Sequence, residues 1–289
     1  MLLRAYAKIN LSLEVLARRD DGYHEVATIL QTVGLFDLLH LEPATCLKFS
    51  CSRPELEGED NLVWQAAVRV RKLAGCQCGA VMHLEKRIPA AMGLGGGSSD
   101  AAAALAGLTE LWGLSLSAKE LSSLSAELGS DVAFFLEGGT ALGQGRGEII
   151  SALPPLPQRW VLLVCSDSLL PGKTGRLYQM LEADDYSDGS LHREAVDAIT
   201  DGRFPDSLLH NAFEKVADKA FGAIYQQARK AMVQAGACDV HLCGSGPGLF
   251  SLFESQTQGE QVLKLLKDSG WRAYLVSTTQ KGWESTCQG

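Results

Sequence analysis

The segment Pro89-Ala-Ala-Met-Gly93-Leu-Gly95-Gly96-Gly97-Ser98-Ser99-Asp100 has four glycines in five residues, and it runs directly into the alanine-rich sequence AAAALAGL. Alanine is the strongest helix former, so the segment is predicted to be a loop that enters a helix. Glycines let backbone N–H groups turn toward a ligand, and a helix start adds unpaired N–H groups and a positive dipole end. The sequence therefore predicts a polyphosphate-binding loop, in which Ser98 and Ser99 can bond phosphate oxygens or a metal ion.

Two common nucleotide-binding loops do not fit this sequence. A Walker A loop needs a glycine five residues before Gly-Lys-Thr, but that position before Gly172-Lys173-Thr174 is Asp167. A dinucleotide fingerprint G-x-G-x-x-G must end in glycine, whereas the pattern started at Gly93 ends at Ser98. A dinucleotide-binding oxidoreductase is therefore disfavoured.

The composition is that of an ordinary globular protein. The 289 residues are enough for one large domain or two modest ones. With 46% hydrophobic and 21% charged residues, the chain is neither disordered nor collagen-like nor a coiled coil. The formal net charge of -8 argues against a nucleic-acid partner. No window approaches the roughly 20 apolar residues of a membrane span.

The cysteines and the N-terminal residues predict a cytoplasmic protein. The eight cysteines form no C-x-x-C pair, which is typical of reduced thiols rather than of a zinc or redox site. Arg4 and Lys8 interrupt the apolar N-terminal stretch, so a signal peptide is not expected. Nothing in the sequence indicates an obligate protein partner.

The predicted strands and helices fall into two halves, separated by a proline-rich segment. Residues 6–15 and 25–41 have strand patterns around a turn at 20–22, and residues 62–74 fit one helical face. Three prolines within residues 154–157 mark a boundary, giving predicted domains 1–153 and 158–289. In the second half strands alternate with helices, which predicts a sheet covered by helices. The acidic stretch 182–206 is predicted to be a solvated surface excursion.

Four blocks of sequence together resemble the GHMP kinases, which include galactose, homoserine, mevalonate and phosphomevalonate kinases. The glycine-rich segment is similar to their phosphate loop, and His241-Leu-Cys-Gly244-Ser245-Gly246 resembles their third motif. The pair Ala7-Lys8-Ile9-Asn10-Leu11 and Arg19-Asp-Asp-Gly22-Tyr23-His24-Glu25 resembles one branch, the kinases of 4-diphosphocytidyl-2-C-methyl-D-erythritol. Gly129-Ser130-Asp131-Val132 resembles the catalytic aspartate segment of that branch.

The resemblance implies the α+β, two-domain GHMP kinase fold. Its N-terminal domain resembles the second domain of ribosomal protein S5, its C-terminal domain is ferredoxin-like, and the active site lies in the cleft between them. The implied reaction transfers the γ-phosphoryl group of ATP, with Mg²⁺, to the C2 hydroxyl of the cytidyl substrate. The products would be the 2-phosphate and ADP, in the non-mevalonate isoprenoid pathway.

The resemblance also implies roles for individual residues. Asp131 would take the hydroxyl proton, and Lys8 would neighbour both Asp131 and the hydroxyl. The implied substrate-binding residues are Asn10, Tyr23, His24, Thr174, Tyr178, Gly244 and Ser245. The implied ATP-binding residues are Asn61, Leu62, Lys86, Pro89, Gly93, Leu94, Gly95, Gly96, Gly97, Ser98 and Ser99.

Tyr23 is expected to stack on the cytosine while His24 bonds its edge, with Tyr178 as a second aromatic wall. No Mg²⁺ ligand can be assigned, and Asp100 is interpreted as a helix cap rather than a metal ligand.

Blander alternatives exist for several of these residues. Local sequence alone allows Lys8 to be a strand lysine with a solvated head, Asp131 to be a plain N-cap, and Tyr178 to be a core residue. At the level of function, the Tyr23-His24 turn favours a nucleobase substrate over homoserine or mevalonate. The presence of both Lys8 and Asp131 argues against a catalytically inactive nucleotide sensor.

Overall fold

Two long antiparallel strands run through the molecule, which is described here by a computed structural model of residues 1–166 and 172–286. Strand β1 (Leu2–Arg18) pairs with β2 (His24–Ala44) from Leu2 opposite His40 to Arg18 opposite His24. The predicted strands at 6–15 and 25–41 are therefore confirmed, and both extend beyond the predicted limits. Register shifts interrupt the pairing at three places, one of them between Asn10 and Ser12.

These two strands form the centre of an eight-stranded sheet, with the order β12-β1-β2-β4-β3 and three further strands off this path. All pairs are antiparallel except β3 with β4 and β1 with β8. The remaining strands of this sheet are β3 (Leu47–Cys51), β4 (Gly79–Glu85), β5 (Thr140–Gln144), β6 (Ile149–Ala152), β8 (His210–Asn211) and β12 (Trp283–Thr286).

A second, four-stranded antiparallel sheet has the order β11-β7-β10-β9. Its strands are β7 (Trp160–Cys165), β9 (His241–Leu242), β10 (Leu249–Phe253) and β11 (Arg272–Ser277). The helices of the described residues are α1 (Leu62–Ala74), α2 (Gly96–Leu111), α3 (Ala118–Leu128), α4 (Val132–Glu137), α5 (Lys173–Met180), α6 (Ser190–Thr200), α7 (Glu214–Phe221), α8 (Ala223–Ala235) and α9 (Gln256–Asp268). No helix within residues 1–166 and 172–286 has both the length and the apolar composition needed to cross a membrane.

Three apolar cores hold these layers together. The first lies between the large sheet and α1 to α4, and the second lies under α7 to α9 on the small sheet. The third joins the two sheets, with Ala7, Ile9 and Leu11 of β1 packing in the same cluster as Leu163 and Phe250 of the small sheet. Because successive strand residues point to opposite faces, Lys8 and Asn10 face away from this core and into a cleft.

The acidic stretch 182–206 is not a solvated excursion, so that prediction is wrong. It contains α6, whose Ala195 and Ile199 are fully buried in the third core. The buried residues Ala195, Ala198 and Ile199 have the spacing of one helical face, but the many acidic residues around them concealed this pattern in the sequence.

Two strands of the second half of the chain, β8 and β12, join the large sheet instead of the small one. Strand β12 returns to the large sheet and pairs antiparallel with the first residues of β1, Leu2 opposite Thr286 and Ala5 opposite Trp283. The predicted second domain, residues 158–289, therefore contains a strand that completes the large sheet. The predicted division near residues 153–158 stays a proposal.

Candidate active site

A cleft of about 800 Å³ lies between β1, the turn that follows it, the start of α4, helix α5 and the loop after β9. Every residue predicted to be catalytic or substrate-binding lines this cleft: Lys8, Asn10, Tyr23, His24, Asp131, Thr174, Tyr178, Gly244 and Ser245. These residues span more than 230 positions of sequence, so the fold brings together what the sequence separates.

A neighbouring cavity of about 400 Å³ lies against the glycine-rich loop. It is lined by all the predicted ATP-binding residues except Ser99: Asn61, Leu62, Lys86, Pro89, Gly93, Leu94, Gly95, Gly96, Gly97 and Ser98. Ser99 is fully buried, and its hydroxyl lies away from both cavities without a hydrogen-bond partner. Gly93, Gly95 and Ser98 line both cavities, so the two spaces meet at the glycine loop.

The glycine loop approaches its neighbours more closely than a side chain would allow. Gly93 has φ +79°, and a Cβ there would lie 1.7 Å from the carbonyl oxygen of Cys243. Gly95, at φ +71°, precedes the first helical residue of α2. Because the first N–H groups of a helix have no intrahelical partner, the start of α2 presents donors to the cavity. The loop predicted from its glycines is confirmed as the entry to a helix.

Lys8 is the buried centre of the polar wall of the cleft. Its side chain is 5% exposed, and Nζ donates to Asn10 Oδ1 at 2.7 Å and lies 3.5 Å from Asp131 Oδ2. Asn10 Nδ2 in turn donates to Thr28 Oγ1 at 2.8 Å, which fixes the amide orientation. The alternative of a strand lysine with a solvated head is therefore wrong.

Asp131 immediately precedes α4, but its carboxylate makes no capping hydrogen bond. The side chain is 36% exposed and lines the cleft beside Lys8. The plain N-cap alternative is therefore wrong, and the carboxylate is available to a ligand.

An aromatic cluster closes the other end of the cleft. The His24 ring stacks on Tyr178 at 4.6 Å between centroids, and its Nε2 is 3.2 Å from the Tyr186 hydroxyl. Burial, with the charge of Arg18, lowers the pKa of His24, so its ring is neutral at pH 7 and can both donate and accept. Tyr23 is 55% exposed and lies beneath the Arg146 guanidinium, 4.8 Å from the ring centroid.

Tyr178 is shared between the cleft and the second core. Its ring stacks on His24 and forms a T-shaped pair with Phe213, with 4.9 Å between the centroids of Tyr178 and Phe213. Burial raises the pKa of Tyr178 to about 12, with a smaller contribution from the negative charge of Asp131. The hydroxyl therefore stays protonated, and the ring is half-buried rather than a pure core residue.

The ammonium of Lys86 does not point freely into the ATP cavity. Nζ donates hydrogen bonds to Asp37 Oδ2 and, at 2.6 Å, to Asp100 Oδ2. All three side chains are almost completely buried. Asp37 also accepts backbone N–H bonds from Arg87 and Ile88, which fixes the start of the glycine segment. The interpretation of Asp100 as a helix cap is therefore wrong.

Sequence reasoning missed several residues at the site. Asp37 lies 49 residues from Lys86 in the sequence. The only signal for its role was the unusual position of a carboxylate within a predicted strand. Arg18, Arg146 and Tyr186 also line the cleft. Lys173 was noticed only inside a failed Walker pattern, yet it bonds the loop after β9.

The described residues of the site include no cluster of side chains that commonly bind metal ions. Within residues 1–166 and 172–286, no three His, Cys, Asp or Glu side chains are grouped as metal ligands.

The chain is similar in sequence to known proteins. The family model described as the GHMP kinases N terminal domain matches residues 61–139, and the model described as GHMP kinases C terminal matches residues 194–270. A curated relative from Dehalococcoides mccartyi, named 4-diphosphocytidyl-2-C-methyl-D-erythritol kinase, is 43% identical over 96% of this chain and 98% of its own length. The chain belongs to this kinase family, a branch of the GHMP kinases.

Solved structures agree with the family assignment. A crystal structure of 4-(cytidine 5'-diphospho)-2C-methyl-D-erythritol kinase matches with a TM-score of 0.82 at 32% identity, covering 96% of this chain and 99% of that one. A homoserine kinase from Cytophaga hutchinsonii matches with a TM-score of 0.75 at 18% identity, over 98% and 96% of the two chains, and shows the shared fold. The predicted fold class and the predicted membership of an ATP-dependent kinase family are confirmed.

Proposed function

We propose that this kinase transfers the γ-phosphoryl group of ATP to the C2 hydroxyl of 4-diphosphocytidyl-2-C-methyl-D-erythritol. The products are the 2-phosphate and ADP, a step of the non-mevalonate isoprenoid pathway. One observation carries the proposal: the glycine-loop cavity and the cleft meet at Gly93, Gly95 and Ser98, with Lys8 and Asp131 on the cleft side. A phosphoryl donor and an acceptor held in these two spaces would face each other there.

The glycine-loop cavity takes the ATP in this proposal. The backbone donors at the start of α2 face the phosphates, and the positive end of the helix dipole favours their charge. Asn61 caps α1 through its bond from the Val63 N–H at 2.9 Å, so it holds that helix start beside the cavity. The Lys86 ammonium is already paired with Asp37 and Asp100, so Lys86 supports the glycine loop.

The phosphoryl transfer itself uses Lys8 and Asp131. The C2 hydroxyl oxygen attacks the γ-phosphorus as the bond from phosphorus to the bridging oxygen of ADP breaks, and the hydroxyl proton passes to the Asp131 carboxylate. The Lys8 ammonium stabilises the charge that develops on the transferring group. Asn10 fixes the Lys8 ammonium by its 2.7 Å hydrogen bond.

The aromatic end of the cleft takes the cytidine. A neutral His24 can bond the polar edge of the base, while the Tyr23 and Tyr178 rings supply faces for stacking. Thr174, Gly244 and Ser245 line the same cleft, and Gly244 lies beside Lys8, so these residues would contact the diphosphate and the methylerythritol unit.

Magnesium is part of the proposal because the donor set suits it. Mg²⁺ is commonly held by substrate phosphates and waters with few protein ligands. The Ser98 hydroxyl, at the junction of the two cavities, is the side chain that would hold it, because the Ser99 hydroxyl is buried. When bound, the ion neutralises charge on the triphosphate.

Two further proposals concern organisation and location. We propose functional domains 1–153 and 158–289, and the two family models match on either side of this boundary, which supports the division. We also propose a cytoplasmic enzyme. Six cysteines of the described residues are free thiols, as suits a reducing compartment: Cys46, Cys51, Cys76, Cys78, Cys238 and Cys243.

The test is ADP release from Mg·ATP by the purified protein. The cytidyl substrate, mevalonate and homoserine are offered as separate acceptors, beside a reaction with no acceptor. We expect ADP release only with the cytidyl substrate. Release with mevalonate or homoserine would overturn the acceptor, and ATP binding without release to any acceptor would favour a nucleotide sensor.

A further inference from the structure

The first turn of α5 bonds the loop of residues 243–248, called here the third-motif loop. Lys173 Nζ donates to the backbone carbonyl oxygens of Ser245, at 3.3 Å, and of Gly246. Its neighbour Thr174 donates from Oγ1 to Ser245 Oγ at 2.8 Å. Lys173 itself does not line the cleft, so its ammonium bonds the loop and not a ligand.

The third-motif loop in turn packs against the reacting end of the cleft. A Cβ on Gly244 would lie 2.9 Å from Lys8 Nζ and 3.1 Å from Asn10 Oδ1. On its other side, the carbonyl of Cys243 fills the space beside Gly93 of the glycine loop. The position of this loop therefore sets the room available between Lys8 and the phosphate end of ATP.

We propose that Lys173 is a positioning residue for phosphoryl transfer, which holds the third-motif loop against Lys8 and Gly93 through the carbonyls of Ser245 and Gly246. The inference rests on the proposed function for its consequence in catalysis. It does not make Lys173 a catalytic residue, because the lysine acts through the loop.

The placement of a cation here requires a compensating interaction. Lys173 is half-buried, and burial together with the positive charge of Lys8 lowers the pKa of Lys173 to about 8. Cys243 is the other titratable group acting on it, and burial raises the pKa of that thiol well above its usual range, so the thiol stays neutral. The two carbonyl oxygens thus provide the acceptors that keep the ammonium in place. An apolar side chain at this position would leave both carbonyls without this donor.

The test compares Lys173→Met, which keeps the length of the side chain, with Lys173→Arg, which keeps the charge and the donors. Lys264→Met is the matched control, because Lys264 is an exposed helical lysine on α9. Misplacement of reacting groups by about 1 Å can cost on the order of 100-fold in rate. We expect Lys173→Met to lower kcat by roughly 10- to 100-fold with little change in the KM for ATP. Lys173→Arg should recover most of the rate, and Lys264→Met should match the wild type.

A second readout does not depend on turnover. Cys243 is buried in the loop, and Cys51 is buried in the first core, so their rates of labelling by a maleimide report local and general opening respectively. We expect Lys173→Met to raise labelling of Cys243 by about tenfold, as suits the loss of charge-assisted hydrogen bonds, and to leave Cys51 unchanged.

The outcomes separate the inference from the proposed function. Unchanged Cys243 labelling in Lys173→Met would overturn the inference, as would equal acceleration at Cys51 or an unchanged kcat. Failure of the wild type to phosphorylate the cytidyl substrate would overturn the proposed function. The labelling experiment would still decide whether Lys173 holds the loop.

Discussion

The contact between Gly93 and the carbonyl of Cys243 leads to a sharp prediction for Gly93→Ala. An added Cβ would lie 1.7 Å from that oxygen and 2.7 Å from the carbonyl carbon. Both are backbone atoms, so the third-motif loop or the glycine loop must move to admit a methyl group. The substitution should therefore reduce both stability and ATP binding.

Two costs contribute to the loss of stability. Gly93 has φ +79°, a region that costs an L-residue about 1–2 kcal/mol. Overpacking of a close contact adds about 1–3 kcal/mol. We expect the free energy of unfolding to fall by about 2–5 kcal/mol, and the KM for ATP to rise because Gly93 lines both cavities.

Gly75→Ala isolates the backbone cost. Gly75 ends α1 at φ +60°, and a Cβ there would have nothing within 4 Å. Urea unfolding followed by tryptophan fluorescence should give a loss of only about 1–2 kcal/mol for this control. If Gly93→Ala destabilises no more than Gly75→Ala, and the KM for ATP is unchanged, the reasoning from close packing is refuted.

Four further changes test other parts of the structure. Asp131→Asn should lower kcat by about 100-fold or more, as expected for loss of a proton acceptor, without changing the KM for ATP, because this carboxylate does not line the glycine-loop cavity; near-normal turnover in steady-state assays would contradict that role. Asp37→Asn should destabilise the fold by about 3–5 kcal/mol in urea, since it leaves a buried ion cluster incomplete. Asp100→Asn should cost less at pH 7, because burial raises the pKa of Asp100 and the neutral form is favoured; the reverse order would contradict this. Glu284→Gln should destabilise the protein at pH 7, because Lys281 and neighbouring side chains lower the pKa of Glu284 to about 2 from 4.5. That stabilisation is complete above pH 4.5 and is lost as the pH falls toward 2, so the difference in unfolding free energy from the wild type should shrink over this range.

The features that the sequence could predict depend on interactions between residues that are close together in the chain. The glycine loop, the strands on both sides of the turn at 20–22 and the helix at 62–74 depend on neighbouring residues, and all are confirmed. The motif order also indicated the family and hence the fold. The assignments of Lys8 and Asp131 to catalysis stay predictions, although the structure places the two side chains side by side.

What the sequence could not predict depends on distant contacts. The bonds of Asp37 to Lys86 and of Lys173 to the third-motif loop join residues 49 and more than 70 positions apart. No local pattern distinguishes such side chains from solvated ones. Helix α6 was missed because its buried face, formed by Ala195, Ala198 and Ile199, lies within a stretch rich in acidic residues.

The pairing of β12 with β1 has a consequence for how the protein is made. Strand β1 carries Lys8, and its partner at residues 283–286 is synthesised much later. Until then, the edge of β1 at residues 2–5 lacks a neighbour, and an unpaired strand edge invites association with other chains. A nascent chain that has not yet reached residues 283–286 should therefore need protection by chaperones at this edge, and the native sheet can close only after those residues have been synthesised.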